Sequence, residues 1–112
     1  MTEQAKKLLT DILNAIDLIE FFISDTPSFD LYEKDSKTRS AVERQLGIIG
    51  EAVGKFDVKF SSKSFQNAGE IIGFRNRLIH AYDNIDDAII WVILKKHLPK
   101  LKDEAKEKLN EF

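Results

Sequence analysis

Apolar side chains at Ala5, Leu8, Leu9, Ile12, Ile16, Ile19, Phe22 and Ile23 follow the three-and-four spacing of a helix with one buried face. The pattern predicts a first helix from Thr2 to about Ser24. It should end at Ser24-Asp25-Thr26-Pro27, because proline disfavours helical geometry in the residue before it, and Asp25 or Ser28 can cap a short helical turn over Phe29 to Glu33. After the polar stretch Lys34 to Ser40, a second long stripe runs through Val42, Leu46, Ile49, Ala52, Val53 and Phe56. Gly47, Gly50 and Gly54 lie within it, each costing about 1 kcal/mol relative to alanine if only solvent is its neighbour. Two readings stay open: another helix approaches closely, in the same chain or across a dimer, or the helix frays at Gly54.

Asp57 to Ser64 reads as a loop whose serines, Ser61, Ser62 and Ser64, can cap a third helix with apolar positions Phe65, Ala68, Ile71, Ile72, Leu78 and Ile79. Asn84 as a cap, with Asp86 and Asp87 at the positive end of the dipole, predicts a fourth. Its segment Ile89 to Leu94 is apolar all round, which predicts a course through the centre of the fold. Pro99 should kink it or start a new segment, and Leu101, Ala105, Leu109 and Phe112 give the charged tail a thin apolar stripe. No repeat and no alternating strand pattern appears. The expected architecture is an all-α bundle of four to five helices, one domain over residues 1–112.

Composition narrows the chemistry. A chain of 112 residues can bury roughly two thirds of its unfolded surface without covalent staples. With no cysteine there are no disulfides, thiolate metal sites or cysteine nucleophiles, which suits a reducing cytoplasm. The longest apolar run falls far short of the ~20 residues of a membrane span. Asp11 and Asn14 interrupt the first stripe, unlike the core of a signal peptide. A soluble cytoplasmic protein with no membrane partner is expected. The net charge of −2 and pI near 5.7 argue against a broadly basic nucleic-acid coat while leaving room for a local basic cleft.

The densest chemistry lies between Gly73 and Asp83, where Arg75, Asn76, Arg77, His80 and Tyr82 cluster. Arginine is a permanent anion clamp, histidine exchanges protons near neutral pH and tyrosine offers a hydroxyl. On a helix Asn76 and Arg77 share a face with His80, whereas Arg75 stands about 140° away from it. A two-fold dimer could gather two histidines and several arginines in one cleft. Such a cleft suits metal-independent RNA cleavage, with one imidazole as base, another as acid and arginine against the phosphorane charge. The plainer reading makes His80 a partner of the last helical carbonyls and the arginines surface charges. His97 with Lys95 and Lys96 could extend a phosphate surface, and Glu51 could orient a catalytic group, but solvent-facing roles explain both. Asp86/Asp87 and Asp103/Glu104 match helix-start and solvated charges better than metal ligands, and no cofactor motif is present.

The run Arg75-Asn76-Arg77-Leu78-Ile79-His80-Ala81-Tyr82 resembles the R-N-x-x-x-H-x-Y signature of HEPN-domain proteins of the HepT type, the toxin half of HEPN/MNT toxin–antitoxin pairs. Arg44-Gln45-Leu46 with Ile48 to Ala52 resembles the family's second-helix segment, and Trp91 to Leu101 its helix ending in a Leu-Pro turn. The resemblance covers roughly residues 5 to 110. It implies a homodimeric helical ribonuclease centred on Arg75 and His80, with Asn76 and Arg77 in support. It further implies a nucleotidyltransferase antitoxin that silences the toxin by transferring AMP to Tyr82. A rival from another class is a non-catalytic helical dimer that binds the nucleotidyltransferase, or a nucleotide, through the same cleft.

Overall fold

The computed structural model describes residues 2–111, the Tyr82 side chain excepted, and all regular structure among them is helical. Helix α1 (Glu3–Phe22) starts where the Thr2 hydroxyl accepts the Ala5 N–H at 3.1 Å. It buries Leu9, Ile12, Ile16 and Ile19 completely. Of the two caps open to α2 (Phe29–Lys34), Ser28 serves, accepting the Leu31 N–H at 3.3 Å. Helix α3 (Ser36–Lys59) follows almost at once, because Asp35 accepts both the backbone N–H of Thr38 at 3.0 Å and its hydroxyl at 2.6 Å. Those two bonds hold the Asp35 carboxyl below its ordinary range. The polar stretch expected as a lead-in is therefore mostly the first turn of α3, invisible to apolar periodicity because it is solvated.

Helix α3, not the fourth predicted helix, is the centre of the fold. Helices α1 and α2 pack on it, and so does α4 (Ala68–His80), while its own Val42, Val53 and Phe56 are fully buried. It also runs to Lys59, through part of the expected loop, before a 3-10 turn at Ser61–Lys63. The serines do not cap α4: its N-cap is Asn67, without a side-chain cap bond. Phe65 precedes the helix yet is buried, edge-on to Phe56 at 5.5 Å between ring centroids. Contacts with the last helix hold this connection instead, since Glu104 accepts the Gln66 N–H at 2.8 Å and the Lys108 ammonium donates to the Lys63 carbonyl at 2.6 Å.

Beyond α4, a 3-10 turn at Tyr82–Asn84 leads to α5 (Asp87–Val92), whose cap is Asp86 rather than Asn84; Asp86 accepts the Ala88 N–H at 2.8 Å. The expectation that Ile89 to Leu94 is buried all round fails. Ile90 and Leu94 face the core, but Ile89 and Val92 are each 44% exposed, because α3 already fills the centre and α5 packs outside it, beside α2. Pro99 starts a new segment, as expected, in the first turn of the last helix. A π-helical turn, Ile93–His97, joins α5 to α6 (Leu98–Asn110), with Leu98 N–H reaching back to Ile93 O. The wider turn accommodates a proline that offers no N–H to Lys95 and would crowd its carbonyl in a regular helix. Helix α6 packs back on α1 through Leu101 and Ala105; Phe112, the last position of its predicted stripe, lies outside the described residues. No helix among them is long and apolar enough to cross a membrane.

Where α2, α3 and α5 come together, partly buried charged groups surround the buried Tyr32. Arg39 pairs with Asp87 at 3.0 Å. Tyr32 is fully buried with its hydroxyl unpartnered among the described residues, and burial, then Glu43 and Asp87, push its pKa up. Burial, then Asp87, likewise raises the Glu43 carboxyl above its ordinary 4.5, against the opposing pull of Arg39. A carboxyl raised in the folded state destabilises the fold once ionised: the penalty is absent below the unfolded value and complete above the folded one. Glu43→Gln should therefore melt above the wild type at neutral pH, with the gain closing as pH falls toward 4.5 and absent below it. Thermal unfolding across that range checks this; a gain that persists in acid would contradict it.

Candidate functional site

Gly50 and Gly54 of α3 face Arg75 and Ile72 of α4, so the two helices run antiparallel. A Cβ added at Gly50 would overlap the Cβ of Arg75 and stand 2.7 Å from its Cγ, so this glycine is the seat of the arginine. Tight packing within the chain, the first of the two open readings, holds at this position. At Gly54 the added carbon would make ordinary contact with Ile72 at 3.6 Å, and at Gly47 it would meet nothing within 4 Å. Arg75 is half-buried at this crossing, and its Nη1 donates to Asn76 Oδ1 at 3.4 Å.

Asn76 and His80 are exposed and one turn apart on the outward side of α4. Gly69 and Gly73 continue the same strip at spacings of four, three and four, within an arc of about 60°. Neither glycine has an atom within 4 Å of where a side chain would start. His80 ends the helix. The Ala81 N–H closes it on Arg77 O at 2.9 Å, and the imidazole has no hydrogen bond or ion pair among the described residues. His80 thus stands in the last turn, at the negative end of the helix dipole, as the plainer reading has it, but bonds none of the last carbonyls.

The other candidates are dispersed. Arg77 lies on the flank toward α6, lining a cleft of about 970 Å³ together with His97. Neither Arg75 nor His80 lines that cleft, and Glu70, Glu104 and Glu107 offset its cations. Arg75 instead lines a hollow of about 330 Å³ on the opposite flank of α4. Tyr82 opens the turn after His80 with its backbone, while its side chain lies outside the described residues. One chain thus brings Arg75 to Asn76 and aligns Asn76 with His80, but sets Arg75 and His80 on different faces.

Several plainer readings hold. Glu51 is exposed and pairs with Lys55 at 3.3 Å. Lys95 lies over the Trp91 ring at 4.8 Å, and His97 is exposed. Asp86 caps α5, Asp87 pairs with Arg39 and Glu104 holds the Gln66 N–H. Among the described residues no group of three or more histidine or acidic side chains is placed to hold a metal ion. Sequence reasoning missed Gly50 as the particular seat of Arg75, and the lysines Lys55 and Lys59 beside that arginine. Only the i,i+4 spacing of the lysines was legible, and it names no partner on α4.

Fold and motif define a helical protein that presents an Arg-Asn pair and a histidine from the end of one helix. Residues 12–107 match the family described as Ribonuclease HepT-like, and the chain belongs to that family. It is 42% identical over 105 residues to the Methanocaldococcus jannaschii protein named "Putative RNase MJ1380", an alignment covering 89% of this chain and 92% of that protein. It is 37% identical over 103 residues to "Probable ribonuclease HepT" of Thermococcus cleftensis, covering 91% of this chain and 93% of that one. No solved structure matches the chain at a significant level.

Proposed function

We propose that the protein is a metal-independent endoribonuclease toxin that acts on tRNA or mRNA as a homodimer, with its site where two copies of α4 meet. The observation that carries this reading is the outward strip of α4: Asn76 and His80 stand exposed beside Gly69 and Gly73, whose open surroundings let a second helix come close. A two-fold axis there supplies the second imidazole that one chain lacks. One His80 takes the proton of a 2′-hydroxyl as that oxygen attacks phosphorus, and the partner's His80 protonates the departing 5′-oxygen, leaving a 2′,3′-cyclic phosphate. Arg75, seated at Gly50 on another face, reaches round α4 toward the strip, its guanidinium steadied by Asn76, to meet the charge that builds on the phosphoryl oxygens, and Arg77 helps to hold the strand. DNA lacks the nucleophile and is not cut. A nucleotidyltransferase antitoxin silences the enzyme by transferring AMP to Tyr82, adding bulk and negative charge two residues from His80.

Incubation of the purified, unmodified protein with total RNA in EDTA tests the chemistry, and sedimentation tests the dimer. The expected products end in cyclic phosphate. Exposure to a candidate nucleotidyltransferase and ATP should add AMP-sized mass and stop cleavage. A monomer, or a protein of unmodified mass that leaves RNA intact, would overturn the reading.

A further inference from the structure

The hollow beside Arg75 gathers cations from two helices. Lys7 is paired with Asp11, and Lys102 with Asp17 and Glu20, in a chain of net charge −2. Along the hollow, Lys55 and Lys59 of α3 join Arg75 of α4 against the single carboxylate of Glu51, which already pairs with Lys55. Among the described residues neither Lys59 nor Arg75 has a carboxylate partner. The lysines stand one turn apart, about 6 Å along the helix axis, and the arginine faces them from the other wall. An anion in the hollow is therefore met from two helices at once. Gly54 lies at its base, Gly50 beneath the Arg75 side chain, and its rim carries Val58, 81% exposed, beside Ile72.

We infer that this hollow is a subsite for one unstacked nucleotide of a single strand, Lys55 and Lys59 gripping its phosphate and Val58 meeting its sugar or base. Its volume of about 330 Å³ sits at the small end of ligand sites, the scale of one nucleotide rather than of a longer segment. The inference rests on the proposed function only in taking RNA as what the protein binds, and it names the side from which the strand reaches Arg75.

The test is fluorescence anisotropy with a labelled single-stranded RNA of about 12 nucleotides, 2′-O-methylated throughout so that it cannot be cleaved. Lys55→Gln/Lys59→Gln is compared with wild type and with Lys34→Gln/Lys106→Gln, which makes the same charge change elsewhere. The expected result is roughly tenfold weaker binding and a salt slope smaller by about 1.4, two phosphate contacts' worth, with the control unchanged. Binding that ignores Lys55 and Lys59, or moves equally in the control, would overturn the subsite even if ordinary RNA is cleaved. Lysine-dependent binding by a wild type that cleaves no RNA would sustain it and sink the ribonuclease reading alone.

Discussion

Replacing His80 with alanine is expected to lower RNA cleavage by roughly 10²–10⁴-fold, the usual worth of a positioned acid or base, while thermal unfolding stays unchanged. Both halves follow from its position. The imidazole ends α4, is exposed and holds no partner among the described residues, so its loss removes no packing and no hydrogen bond. If the two copies in a dimer serve as base and acid, the variant loses both groups at once. Single-turnover cleavage of a defined RNA, beside a melting curve, checks this. Cleavage retained at the wild-type rate would refute the assignment of His80. Arg75→Ala is a poorer probe, because that side chain is half-buried against α3 and its removal disturbs packing and chemistry together.

Gly50→Ala should destabilise the fold by about 1–3 kcal/mol, the range for overpacking, although helix propensity alone predicts a gain of about 1 kcal/mol. The added carbon falls on the Arg75 side chain, so either α4 moves off α3 or the arginine swings out of place. Gly47→Ala, in the same helix with nothing within 4 Å, should show the propensity gain instead. Urea denaturation of the pair separates the effects, and cleavage should fall in Gly50→Ala but not in Gly47→Ala. Equal stability of the two variants would mean that α3 and α4 adjust freely and that Gly50 does not set the arginine.

The pair of glycines also marks the boundary of what the sequence determined. Apolar spacing alone placed the main helices, since three-and-four periodicity reports which face of a helix must leave water. It also put Asn76 and His80 on a common strip and Arg75 away from it, because those angles are fixed by the helix itself. Capping residues were less legible: Asp86 and Asn84 offer the same kind of side-chain oxygen, and only the backbone path selects Asp86. Nor could periodicity tell which stripe is covered from several sides. Ile89 to Leu94 is apolar all round, yet Val92 and Ile89 stay half-exposed because α3 occupies the centre. Among Gly47, Gly50 and Gly54 the sequence offers three equal candidates. The antiparallel crossing of α3 and α4 selects Gly50, places Lys55 and Lys59 beside Arg75, and turns Arg77 into a different cleft. Helical geometry is local and can be read along the chain; the partner that meets each face comes from residues distant in sequence, and only the packed structure supplies it.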